Sequence, residues 1–151
     1  MRRLSVLLLA VVAVLIAAGC GGSSRNDFES SVIDTRNSVD GALTRITDGP
    51  SSKDDLLNRM EQSAVAIDRA AERLDQEKAP EDLETEQEQL VKAYRQLGVD
   101  IDAAAKELRQ PEFESLVLGS QGLSFESWNQ ANRVLGQLRA QGIDVKPLGR
   151  H

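Results

Sequence analysis

The chain holds one cysteine, Cys20, and one histidine, His151, so thiol and imidazole chemistry have almost no residues to use. Nucleophilic catalysis by serine or cysteine needs a neighbouring base, which is most often a histidine. Zinc and haem sites need several cysteine or histidine ligands, and neither an EF-hand loop nor a phosphate-binding glycine motif is present. The sequence therefore predicts a protein that is not an enzyme and that binds no cofactor and no metal.

The surroundings of Cys20 are more informative than its thiol. Two arginines follow Met1, residues 4–18 are apolar apart from one serine, and the small residues Ala17-Ala18-Gly19 lead directly into Cys20. A positive start, an apolar run and a small-residue site are the three parts of a secretory signal peptide. Residues 1–19 are therefore predicted to direct export.

A cysteine directly after such a segment resembles the lipobox of bacterial lipoproteins. The resemblance implies cleavage before Cys20, a diacylglyceryl group on its sulfur and often a further acyl chain, such as palmitate, on its nitrogen. It also implies a location on the extracytoplasmic face of the cell membrane, to which the acyl chains bind. The rest of the chain is similar in style to small envelope lipoproteins, without pointing to a named family.

Two other interpretations of the first residues stay open. The apolar run could be an uncleaved transmembrane helix, but residues 4–18 fall short of the roughly 20 apolar residues that cross a bilayer. Alternatively, the segment is a plain signal peptide and Cys20 is an incidental free thiol.

Charge and composition exclude some partners. Loss of Arg2 and Arg3 with the signal peptide changes the formal net charge from −6 to −8. An acidic chain without a clustered basic face is not expected to bind nucleic acid or anionic headgroups by charge. Aromatic platforms for carbohydrate are also scarce: Phe28, Tyr94, Phe113, Phe125 and Trp128.

Apolar residues spaced alternately by three and four predict amphipathic helices after the signal peptide. The predicted helices are 27–48, 53–78, 80–109 and a fourth that is kinked or broken near residues 119–124. Short connections between such helices favour an all-α, elongated, up-down-up-down four-helix bundle. The predicted layout is a flexible tether at 20–26, the bundle at 27–141 and a C-terminal tail at 142–151.

Individual positions refine this picture. Asn26 is predicted to cap the first helix, and Ser51 or Ser52 the second. Pro80 is predicted to open the third helix. Polar residues Thr35 and Gln87 lie at seam positions and are expected to set the register of the helices.

Three valines lie beside the predicted seams: Val65, Val91 and Val99. They are expected to widen the buried stripe, and joint exposure would instead mark a partner surface.

The segment Gly119–Asn129 combines glycines, aromatic residues and hydrogen-bonding side chains at the predicted helix break. One interpretation is a recognition patch or small pocket formed by Phe125, Trp128 and Asn129, because tryptophan is enriched at interface hot spots. The favoured interpretation is that Trp128 and Phe125 fill the bundle where the helix bends, since the core has few other aromatic residues.

The predicted function is a membrane-anchored, non-catalytic envelope lipoprotein that binds an envelope protein or spaces envelope components. The alternative is a small-ligand binding module that uses the bundle interior or the break at Gly119–Asn129.

Overall fold

The structure is a computed structural model that describes residues 21–110 and 125–149. Across these residues the backbone forms four α-helices and no strand. The elements are α1 (Gly21–Thr47), α2 (Lys53–Gln76), a 3-10 turn (Glu81–Leu83), α3 (Glu84–Leu108) and α4 (Glu126–Ala140). The prediction of an all-α four-helix bundle is confirmed. The predicted break near residues 119–124 lies outside the described residues.

Each helix packs against its neighbour in the chain, so α2 contacts α1 and α3, and α3 contacts α4. The predicted apolar seams form one core, because burying one stripe of each helix removes most large aliphatic side chains from water. The largest fully buried side chains are Tyr94, Phe28, Met60, Ile67, Leu74, Leu83, Leu90, Leu97, Ile101, Leu135, Leu138 and Ile143.

The start of α1 differs from the predicted flexible tether. The described chain is already helical at Gly21, its first residue, and Asn26, the predicted cap, lies inside α1. Long-range contacts explain the difference: the Arg25 guanidinium donates to Asp82 at 2.9 Å and to the Gln141 carbonyl at 2.5 Å. These contacts hold the first turns of α1 against the α2–α3 connection and the end of α4.

Ser52 caps α2, as predicted. Its hydroxyl accepts a hydrogen bond from the Asp55 backbone amide at 3.1 Å, and the Asp55 carboxylate accepts from the Ser51 amide at 2.9 Å. Arg59 donates to Asp55 and to the Asp48 carbonyl, each at 2.9 Å, which ties the start of α2 to the end of α1. The hydrogen bond from Arg59, helped by Ser51, lowers the pKa of Asp55 to about 2.

Pro80 precedes the 3-10 turn, and the α-helix begins only at Glu84, so Pro80 is not the first residue of α3. Gln87 has a more specific role than the predicted one. Its side-chain amide donates to the carbonyls of Leu74 at 2.6 Å and Glu77 at 2.7 Å. It therefore adds a hydrogen bond to two carbonyl groups at the end of α2, of which the Leu74 carbonyl also accepts from the Glu77 amide at 3.2 Å. Thr35 lies buried, as its seam position predicts.

Close approach of α2 and α3 depends on Gly98. A Cβ atom at this position would lie 3.2 Å from the carbonyl oxygen of Ala64. Because that neighbour is backbone and cannot rotate away, a larger residue would push the helices apart.

The predicted C-terminal tail is part of the core. After Gly142, which has a φ of 90°, the chain turns back and buries Ile143, Val145 and Leu148 to 0%, 1% and 3% exposure. Charged residues Asp144 and Lys146 alternate with these apolar ones and lie exposed. The alternation is the pattern of an extended segment with one buried face. It differs from the helical spacing on which the bundle prediction was based.

Hydrogen bonds place this C-terminal segment, residues 143–149, between α1 and α4. Arg36 of α1 donates to the Pro147 carbonyl at 3.1 and 2.5 Å, and the Gly149 amide donates to Asp40 at 2.7 Å. On the other side, the Leu148 amide donates to Asn132 of α4 at 2.7 Å. The segment therefore joins the first and last helices of the bundle.

We expect Leu148→Ala to lower the free energy of unfolding by about 2–5 kcal/mol, because it leaves a cavity between α1 and α4. Lys146→Ala is the matched control, since it shortens an exposed side chain of the same segment and should change stability by less than about 0.5 kcal/mol. Urea unfolding followed by circular dichroism measures both. Equal stability of the two variants would show that the segment does not pack in solution.

Candidate functional site

The predicted site residues fall into two groups. Cys20 and residues 119–124 lie outside the described residues. Phe125, Trp128 and Asn129 lie together in the first turn of α4 and the residue before it.

The first turn of α4 combines backbone hydrogen bonds within the turn and packing against the core. The Phe125 carbonyl accepts hydrogen bonds from the amides of Trp128 at 3.1 Å and Asn129 at 3.3 Å. Both aromatic side chains are partly buried and pack against the core. This agrees with the favoured interpretation that they fill the bundle, although part of each ring stays accessible. Recognition by these residues stays a prediction.

Polar groups surround the accessible part of this turn. Asn129 donates to Glu126 at 3.4 Å, and Arg133 donates to the other oxygen of Glu126 at 2.8 Å. These two donors, Arg133 first, lower the pKa of Glu126. Buried Ser127 donates to Asp100 of α3 at 2.5 Å, which fixes the start of α4 against α3. A partner that binds at the start of α4 would contact a half-buried tryptophan with charged and amide groups beside it.

The interior of the bundle holds one unusual polar group. Tyr94 is fully buried, and its hydroxyl is the one buried side-chain polar atom in the described part of the chain without a hydrogen-bond partner. Burial raises the pKa of Tyr94, while the charge of nearby Arg36 opposes this shift. The large side chains around the middle of the bundle are themselves fully buried, so the described interior consists of packed side chains.

Two valines differ from the predicted stripe. Val91 is buried, but Val65 and Val99 are 51% and 60% exposed. Val65 and Val99 directly follow Ala64 and Gly98, which meet at the α2–α3 contact. The next residue along a helix points about 100° away, so both valines lie outside this contact. Ion pairs flank the valines: Arg95 contacts Asp75 at 2.9 Å, and Arg109 contacts Glu61. Charged groups therefore interrupt this exposed apolar surface.

A polar groove runs along the outer side of the α1–α2 pair and was missed by sequence reasoning. One part, of about 410 Å³, is lined by Asn37, Ser38, Gly41, Arg45, Ala66, Arg69 and Arg73. The adjoining part, of about 310 Å³, shares Ser38 and Arg73 and is also lined by Ser31, Asp34, Thr35 and Glu77. Arg69 and Arg73 are spaced by four residues and so share one face of α2, which is the local signal that could have drawn attention to it.

Residues 21–110 and 125–149 contain neither a candidate metal site nor a candidate membrane-spanning helix. In this part of the chain, no group of three or more histidine, cysteine, aspartate or glutamate side chains is arranged to hold a metal ion. Nor does any helix there combine the length and apolarity needed to cross a bilayer.

We expect Tyr94→Phe to raise the free energy of unfolding by about 1 kcal/mol, because it removes a buried hydroxyl without a partner. The effect should grow above pH 10. The unfolded tyrosine loses its proton near pH 10, whereas the raised pKa keeps the folded one protonated, so the wild type loses stability as the pH rises through 10.

Because Tyr94 is the single tyrosine, ultraviolet absorbance reports its titration directly, and chemical unfolding at several pH values measures the stability. Tyr94→Ala is the control and should lower stability by about 3–5 kcal/mol by leaving a cavity. A loss of stability in Tyr94→Phe would show that the hydroxyl has a hydrogen-bond partner in solution.

Comparison of the chain with protein-family models, curated proteins and solved structures gives no match, so similarity to known proteins adds nothing to the geometry described above.

Proposed function

We propose that this protein is a lipoprotein anchored through Cys20 to the extracytoplasmic face of the cell membrane. Its helical bundle acts there as a non-catalytic module that binds an envelope protein or spaces envelope components. The observation that carries the proposal is the lipobox-like sequence Ala17-Ala18-Gly19-Cys20, and the chain is already helical at Gly21, the first described residue. Acyl chains on Cys20 would therefore be joined to α1 of the bundle without a long flexible linker.

Contacts of Arg25, near Cys20 in the sequence, support a defined orientation of the bundle relative to the membrane. Arg25 of α1 reaches Asp82 before α3 and Gln141 after α4, and Gln141 in turn donates to Glu86 at 2.6 Å. The start of α1 is thus fixed to two other connections at the same end of the bundle. We name this the anchor end, and it would face the membrane.

Charge at the anchor end opposes adhesion to an anionic bilayer. Its α2–α3 connection and the start of α3 carry several carboxylates: Glu77, Glu81, Asp82, Glu84 and Glu86. Anionic headgroups attract basic segments and repel acidic ones. Attachment would therefore depend on the acyl chains, and two or more chains give stable anchoring where one does not.

A partner would bind at the start of α4. With 27 residues and a rise of about 1.5 Å per residue, α1 is about 40 Å long. With 15 residues α4 is much shorter, and its first turn contacts α3 at Asp100, part-way along the bundle. The half-buried Trp128 lies in this first turn. Its accessible edge and the nearby Asn129 are the described groups best suited to anchor a partner there. The packed core around Tyr94 favours this use over a ligand site inside the bundle.

Mass spectrometry of the protein purified from membranes tests the anchor. We expect a mature N-terminus at Cys20 that carries at least two acyl chains. Cys20→Ala should keep residues 1–19, because cleavage in this family requires the cysteine. An N-terminal Cys20 with a free thiol would contradict the proposal.

Crosslinking in intact cells tests the partner. We expect an envelope protein to be captured by the wild type and largely lost with Trp128→Ala, which removes the largest side chain at the start of α4. Val99→Ala is the matched control, since it shortens an exposed apolar side chain on α3 and should leave capture unchanged. Circular dichroism checks that both variants are folded. Failure to enrich any envelope protein, or equal capture by both variants, would contradict the binding proposal.

A further inference from the structure

We propose that the arginine-lined part of the α1–α2 groove is a binding site for an oxyanion, such as a phosphate or carboxylate group of a small polar molecule. The arginine groove is defined by Arg45 of α1 and by Arg69 and Arg73 of α2, together with the small residues Gly41 and Ala66 between them. Nothing in the proposed function requires this site.

Most arginines in the described part of the chain pair with a carboxylate; Arg139, which donates to the Val145 carbonyl, is an exception besides the groove arginines. Six other arginines form ion pairs with carboxylates: Arg25, Arg36, Arg59, Arg95, Arg109 and Arg133. In the described ranges, no carboxylate lies within ion-pair distance of Arg45, Arg69 or Arg73. In the described part of the chain, three guanidinium groups without a carboxylate partner therefore line one groove of a protein whose net charge is −6.

Arg45 and Arg73 lie in the last turns of α1 and α2, where positive charge is favourable, but the cluster also carries a cost. Arg69 and Arg73 are four residues apart on α2, where two like charges repel each other. The Arg73 guanidinium contacts Ser38 at 3.3 Å, which is a neutral partner. A bound oxyanion would relieve the repulsion, and the planar guanidinium group is suited to bind phosphate or carboxylate through two hydrogen bonds.

Small residues keep the groove open. A Cβ atom on Gly41 would meet no atom within 4 Å, in contrast to Gly98, where packing requires glycine. The volume of about 410 Å³ is within the usual range for small-molecule sites.

The adjoining part of the groove restricts the ligand. Asp34 and Glu77 lie beyond Arg73 and would repel a second anionic group there. The site thus fits a molecule with its oxyanion at the arginines and a neutral or cationic portion towards Asp34 and Glu77. Phosphate is carried both by soluble metabolites and by lipid headgroups, and the test separates these sources.

The test titrates the full mature chain, in a neutral detergent, with inorganic phosphate while NMR follows the arginine side-chain N–H signals. We expect saturable shifts of Arg45, Arg69 and Arg73 that chloride at equal ionic strength does not reproduce. Arg69→Gln and Arg73→Gln should each weaken binding about tenfold or more, as expected for loss of a charged hydrogen bond. Lys92→Gln, which removes one exposed positive charge from α3, should leave binding unchanged.

A second pair of variants tests whether binding depends on the open space in the groove, with the net charge of the chain left unchanged. Gly41→Leu should abolish binding by filling the groove, whereas Gly136→Leu on α4, which also has open space around it, should not. Absence of saturable shifts with both phosphate and vesicles, or equal weakening by Lys92→Gln and Arg69→Gln, would overturn the proposal.

Vesicles of phosphatidylcholine with and without phosphatidylglycerol identify the source of the oxyanion. Shifts with free phosphate identify a soluble ligand, and shifts with phosphatidylglycerol vesicles alone identify a lipid headgroup. Both outcomes support the site. The state of Cys20 is measured separately by mass spectrometry, so failure of the site and failure of the anchor are distinguishable.

Discussion

Packing of α1 between α2 and the C-terminal segment supports the main features of this structure. One side of α1 buries its apolar seam against α2, and Ser63 of α2 donates to the Ala42 carbonyl at 2.8 Å across that contact. On its other side, Arg36 and Asp40 bind the backbone of residues 147 and 149. If α1 separated from these neighbours, the core and the groove beside α2 would both be lost.

The same helix connects the two proposed activities of the molecule. Its first turn would carry the membrane attachment, and Arg25 fixes that turn to Asp82 and Gln141. Further along, Gly41 and Arg45 form one wall of the arginine groove. Arg45 lies near the end of α1 that is remote from Cys20, whereas Arg73 lies in the last turn of α2, close to the anchor end, so the groove runs along the bundle between its two ends.

Glycine and alanine have opposite uses on the two faces of α2. Towards α3, a Cβ atom at Gly98 would lie 3.2 Å from the Ala64 carbonyl oxygen, so a side chain there would require the helices to shift slightly, and small residues bring the helices together. Towards the outer side of α1, Ala66 and Gly41 leave space that nothing in the described structure fills. Small residues therefore indicate close packing only where a neighbouring helix occupies the space.

Local patterns in the sequence were sufficient for the helical class, for the cap at Ser52 and for most of the buried seam, because helix periodicity and capping depend on residues three or four apart. The lipobox-like sequence that ends at Cys20 is local in the same sense, and its meaning stays a prediction. Tertiary contacts decided the rest: Arg25 reaches Asp82 and Gln141, the α2–α3 packing leaves Val65 and Val99 in solvent, and residues 143–149 pack against α1. Each of these depends on partners that are distant in sequence, as Arg36 and Pro147 are. The arginine groove likewise exists only because the fold places Arg45 beside Arg69 and Arg73, and the spacing of apolar residues carries no information about which outer faces meet.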